Sequence, residues 1–233
     1  MSPNEGSGTL ALIGGGEWRE GCRDFDAELL ARAGGGKVVV LPTAAAFEHP
    51  ARAVERAVAY FSDLGASVRP LEVLRRADAE DRALAESVAD AHFVYVADGS
   101  PLHLRSALKD SALFDAMLTA YQHGAVLAAS GAGATVLCDP MVDPRGGAYT
   151  VGLGVVRDLA VFPYHGTAAD HLRERSIDLL PRSATLVGLD EQTALIREPD
   201  ATWRVAGAGV VTVYDGRKTT VVDTGAKVKQ LTV

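Results

Sequence analysis

The chain has 233 residues, 48% of them hydrophobic and 23% charged, with a formal net charge of −7. That acidity argues against nucleic acid, which needs a basic footprint, and no apolar run reaches the roughly 18 residues of a membrane span. Two cysteines, Cys22 and Cys138, give neither a disulfide framework nor zinc spacing, and residues 1–8 lack the order of a signal peptide.

The expectation is a cytoplasmic protein with a flexible terminus over residues 1–8 and one domain over 9–233. The run TLALI, Thr9 to Ile13, reads as a buried strand entering the turn Gly14-Gly15-Gly16. That turn lacks the third spaced glycine of a dinucleotide fingerprint, so no cofactor is expected. Phe25, Leu29, Leu30 and Ala33 share a helical face, and KVVVL, Lys37 to Leu41, is the next strand. A helix over 51–64, a strand over 68–74 and a helix over 82–91 follow. HFVYVA, His92 to Ala97, is a strand ending at Asp98-Gly99-Ser100-Pro101. Helical patterning continues to His123, and AVLAA, Ala125 to Ala129, enters Ser130-Gly131-Ala132-Gly133-Ala134.

Strands apolar throughout, alternating with helices, predict a parallel sheet covered on both faces with its strand ends on one ligand-binding rim. Beyond Pro140 come a strand over 159–164, a helix over 168–180 and short runs at 185–187, 193–197, 203–206, 210–214 and 219–222. These predict an antiparallel C-terminal extension.

The loop after Ala129 carries the chemistry. In a nucleophile elbow, G-x-S-x-G, small residues flank a serine on a strained strand-to-helix turn, with glycine two residues beyond it. Gly133 lies two residues after Gly131, whereas Ala132 lies two after Ser130. The spacing therefore predicts Gly131 at the strained turn with Ser130 pointing elsewhere. Taken alone, such a run serves equally well to pack a helix closely on a sheet.

The stretch GAVLAASGAGATVL, Gly124 to Leu137, resembles the elbow segment of the dipeptidase E and cyanophycinase family of serine peptidases, with Gly131 on the nucleophilic serine. Asp98-Gly99-Ser100-Pro101 resembles that family's Gly-Gly-x-Gln loop, with Asp98 replacing a glycine and Pro101 the glutamine. Phe162-Pro163-Tyr164-His165 resembles the site of the catalytic histidine. Gly188 to Ala194, GLDEQTA, resembles the segment supplying its acid, and LALIGGGE, Leu10 to Glu17, the first strand and loop.

The resemblance implies a class I glutamine amidotransferase-like α/β fold and a base, His165, hydrogen-bonded to Glu191. It implies an oxyanion hole at Gly99 and Ala132, altered by Pro101, which has no N–H. Asp98, Arg173 and Arg175 are candidates for substrate binding, the two arginines as a carboxylate clamp. It also allows a homodimer. His165 and His171 match no metal spacing, and no metal is expected. Three readings stand. The first is a relative lacking its nucleophile that binds a peptide-like or acidic small molecule. The second is an active serine peptidase using Ser130, and the third a structural or regulatory protein without a ligand. Under the first, Gly131→Ser is expected to produce hydrolysis.

Overall fold

The computed structural model describes residues 8–216 and 218–231. Of the terminus expected to be flexible, residues 1–7 lie outside those described. Gly8 is buried and its N–H donates to Tyr121 O at 2.7 Å.

Five parallel strands form the centre: β1 (Leu10–Ile13), β2 (Lys37–Leu41), β3 (Ser67–Pro70), β4 (Phe93–Val96) and β5 (Val126–Ser130). Their order is β1-β5-β4-β2-β3, so β5 lies between β1 and β4. Register pairs Ile13 with Ser130 and Val96 with Ala129, so these three strands end level with one another. The loops after them therefore meet on one rim, at the centre of the sheet. Strand β3 stops at Pro70, earlier than the run to Leu74 suggests, because proline donates no ladder hydrogen bond.

Helices cover both faces. On one side Phe25 and Leu29 of α1 (Arg23–Arg32) and Phe61 of α2 (Pro50–Asp63) pack against Ala11, Ile13, Tyr95 and Ala128. On the other, Leu104, Met117 and Val136 pack against Leu10, Leu12 and Leu127. These three come from α5 (Pro101–Leu108), α6 (Ala112–Gln122) and α7 (Ala132–Leu137), which follow α3 (Arg76–Ala79) and α4 (Arg82–Ala89). The alternating faces of each strand thus feed two cores, and each fully buried Leu or Phe contributes about 1.5–3 kcal/mol.

The C-terminal third is divided more sharply than a single antiparallel extension. Strands Thr193–Arg197 and Trp203–Gly207 join the main sheet antiparallel, beside β1. Strands Leu159–Phe162, Thr185–Leu189, Val211–Asp215 and Lys218–Val222 form a second, four-stranded sheet, whose first pair is parallel. The turn at Asp190 to Gln192 carries the chain from the second sheet to the first. Residues following Phe162 and Leu189 are thereby brought to the rim where β1, β4 and β5 end.

Candidate active site

Gly131 occupies the turn between β5 and α7 with φ 50° and ψ −105°, a conformation that L side chains rarely adopt. Its N–H donates to Ile13 O at 2.9 Å, which ties the turn to β1. Ser130, one residue earlier, is the last residue of β5 and is fully buried. Its hydroxyl donates to Glu17 Oε2 at 3.0 Å. The spacing from Gly133 thus agrees with the structure in putting Gly131 at the turn and Ser130 at the end of β5, with the Ser130 hydroxyl directed to Glu17.

The space over Gly131 belongs to Asp98. A Cβ built on Gly131 would overlap Asp98 Cγ and both carboxylate oxygens. Asp98 Oδ1 accepts from Gly99 N–H and from Ala132 N–H, each at 2.7 Å, and Oδ2 accepts from the Tyr164 hydroxyl. The two backbone donors assigned by resemblance to an oxyanion are therefore bonded to an internal carboxylate. Gly99 sits at φ 147°, and a Cβ there would run into the Ala44 carbonyl. Pro101 does not alter this arrangement. It is the first residue of α5, where the N–H has no helical partner, and Ser100 caps that helix by accepting from His103 N–H at 3.4 Å.

Behind Asp98 lies Glu17, only 5% exposed, whose Oε1 accepts from Asp98 N–H and from Arg56, both at 3.4 Å. Burial, and then the neighbouring charge of Asp98, raise the Glu17 carboxyl above its ordinary range. Tyr164 has φ 55°, donates its N–H to Gly14 O at 2.8 Å and lays its ring over Gly15, where any Cβ would strike it. Burial, followed by the charge of Asp98, raises its phenol.

His165 does not meet Glu191. Its Nε2 lies 2.8 Å from the Tyr214 hydroxyl, and its Nδ1 lies 3.7 Å from Asp190 Oδ1, long for a hydrogen bond. Glu191 Oε2 instead accepts from the Thr167 hydroxyl at 3.3 Å. Successive residues in the turn after Leu189 point to different sides, so the acid beside the histidine is the first of the pair. Gly188 makes room for the imidazole, since a Cβ there would overlap its ring. Burial, then Arg173, hold the His165 pKa below 6.5, with Asp190 opposing them.

Arg173 is half-buried on helix α8 (Asp170–Asp178), paired with Asp170 and donating to His165 O at 3.2 Å. Arg175 is exposed, about 200° further round the helix, so the two side chains leave α8 on different sides.

The signature of peptidase family S51 matches residues 10–203, which spans all of these loops. The chain belongs to peptidase family S51. Among S51 relatives, a cyanophycinase from Geminocystis herdmanii (strain PCC 6308) is 26% identical over 227 residues, 90% of this chain and 81% of that one. A cyanophycinase from Synechococcus elongatus is 27% identical over 228 residues, covering 90% and 69%. Among solved structures, a peptidase from an acI-B1 actinobacterium has a TM-score of 0.87 at 28% identity, over 96% of this chain and 98% of that one. A putative peptidase E protein from Listeria monocytogenes EGD-e has a TM-score of 0.62 at 15% identity, over 92% and 98%, a likeness of fold alone. S51 membership makes the chain a peptidase E and cyanophycinase-like hydrolase homologue, and the mainly parallel sheet between helices agrees with the amidotransferase-like fold.

Glu17, Tyr164, Asp190 and Tyr214 were not singled out by sequence reasoning. Three of them sit inside quoted motifs: Glu17 closes LALIGGGE, Tyr164 precedes His165, and Asp190 precedes Glu191. Tyr214 carries no such signal. Among the described residues no group of three or more metal-ligating side chains could hold a metal ion, and no helix is long and apolar enough to cross a membrane.

Proposed function

We propose that this chain is an S51 pseudoenzyme that binds a peptide-like small molecule at the rim and does not hydrolyse it by serine catalysis. The observation that carries the reading is the Asp98 carboxylate, which fills the volume above Gly131 and takes both backbone donors. The turn keeps the shape of a nucleophile elbow, yet glycine has no atom with which to attack a carbonyl. Removing one oxyanion donor from a serine hydrolase costs about 10²–10³ in kcat. Here two are engaged by an anion that repels a developing oxyanion.

Ser130 does not rescue catalysis in this reading, since it is buried and its hydroxyl donates a hydrogen bond to Glu17. Nor does the charge favour an acidic ligand. Asp98, Asp190 and Glu191 lie around the rim, while the nearby guanidinium of Arg173 is paired with Asp170. Neutral or amine-bearing peptides suit the site better.

The test is incubation of the native chain with aspartyl dipeptides, β-aspartyl-arginine and neutral dipeptides, followed by chromatography for cleavage and calorimetry for binding. Binding of a neutral or amine-bearing peptide without cleavage supports the reading. Turnover of any of them by the native chain overturns it.

A further inference from the structure

Three loops distant in sequence converge on one carboxylate. The loop after β4 supplies Gly99 N–H, the turn after β5 supplies Ala132 N–H, and the loop after Leu159–Phe162 supplies the Tyr164 hydroxyl. Each segment carries unusual backbone at or beside its donor: φ 147° at Gly99, 50° at Gly131 and 55° at Tyr164. Of the three, Tyr164 is the non-glycine residue, which keeps a positive φ only where its surroundings hold it. The donors are fixed by other contacts as well. Gly131 N–H is tied to Ile13 O at 2.9 Å and Tyr164 N–H to Gly14 O at 2.8 Å. The turn at Gly131 and the loop at Tyr164 are therefore held by the sheet and its loops as well as by the acceptor between them.

We propose that this three-loop cradle is a binding site for a single carboxylate whose resident occupant is the chain's own Asp98, and that a free carboxylate of the formate or acetate class takes the site when the Asp98 side chain is removed. The proposal deepens the binding reading above by naming what the native site refuses. A carboxylate-bearing ligand must displace a group tethered beside the cradle, and a tethered group competes at an effective concentration of about millimolar or more. In the native chain the cradle is shut to acids, and the ligand is read by other contacts. Charge-assisted hydrogen bonds make carboxylate the fitting occupant: two N–H donors on one oxygen and a hydroxyl on the other match its acceptor geometry.

Sodium formate is the probe, with sodium chloride at equal ionic strength as control. Asp98→Gly removes the whole side chain, and Asp98→Ala keeps the ordinary backbone restraint of a Cβ. In both variants formate is expected to raise Tm saturably beyond chloride, while the native chain responds alike to the two salts. Adding Tyr164→Phe to Asp98→Ala is expected to weaken formate binding severalfold. A cooperatively folding variant that responds identically to formate and chloride overturns the proposal, as does a native chain that responds as strongly as the variants. Should neither variant fold, calorimetric titration of formate into the native chain decides: saturable binding overturns the proposal, and no heat of binding supports it. These measurements use no peptide, so their failure concerns the cradle, whereas failure of peptide binding concerns the reading above.

Discussion

Asp98 and Gly131 are sterically reciprocal, for the carboxylate of one stands where a side chain on the other would begin. The resemblance to the family's Gly-Gly-x-Gln loop and elbow serine makes both positions departures from pattern. In three dimensions the two positions are neighbours, and the carboxylate on one loop fills the volume over the glycine on the next.

Against the hydrolysis expected from the sequence, Gly131→Ser alone is now expected to be inert. The new Cβ must expel Asp98 from three donors while adopting φ near 50°, a strain of about 1–3 kcal/mol for a non-glycine residue. The variant is expected to lose stability in urea denaturation and to show no hydrolysis. Asp98→Gly with Gly131→Ser relieves the overlap and frees both N–H groups, so hydrolysis of an activated ester is expected from the double variant only. Weak turnover is enough, because His165 lies beside Tyr214 and Asp190 without a short carboxylate bond.

Ser130→Ala tests the alternative nucleophile. The buried hydroxyl is a donor to Glu17, so its loss leaves a buried carboxyl oxygen without that partner and costs about 1–3 kcal/mol. Urea denaturation is expected to record that loss while calorimetric peptide binding stays unchanged. A Ser130→Ala variant of unaltered stability would contradict the assignment.

Asp26 gives the fold a pH signature. It is fully buried, accepts from Tyr60 Oη at 3.0 Å, and burial pushes its carboxyl up to about 8. An unfolded Asp releases its proton near pH 4. Stability from this group is therefore complete below pH 4, declines as pH rises, and levels off above about 8, where the folded form ionises too. Asp26→Asn removes the dependence, so its Tm relative to the native chain is expected to rise steadily between pH 4 and 8. A constant difference across that range would contradict the assignment.

Arg173 bears on His165. Burial is the larger cause of the lowered imidazole pKa and Arg173 the second, so Arg173→Met is expected to move it upward while leaving it below a fully solvated value. In the native chain the unfolded form takes up this proton first, so stability falls as pH drops through about 6.5. Proton NMR titration of the His165 ring reads both chains.

Much of this was legible in the sequence because it rests on local rules. Continuous apolar strands such as KVVVL and FVYV announced the buried parallel sheet, and the spacing of Gly131 to Gly133 fixed the turn. The partners of the site were harder to read because they depend on which way neighbouring side chains point. Glu191 was expected beside His165, but the turn leaving the second sheet directs Asp190 there. Asp98 was read as a candidate for substrate binding. Its place inside the cradle depends on β4 and β5 being adjacent and ending level, a matter of register invisible in either segment alone. The split of the C-terminal strands between two sheets is likewise decided by long-range pairing.

The central claim is most directly tested by exposing the native chain and the Asp98→Gly, Gly131→Ser double variant to a fluorophosphonate, which labels activated serines, and measuring intact mass. The native chain is expected to keep its mass, and the double variant to gain a single adduct that peptide mapping locates at position 131. An adduct on the native chain, at Ser130 or any other serine of the rim, would contradict it.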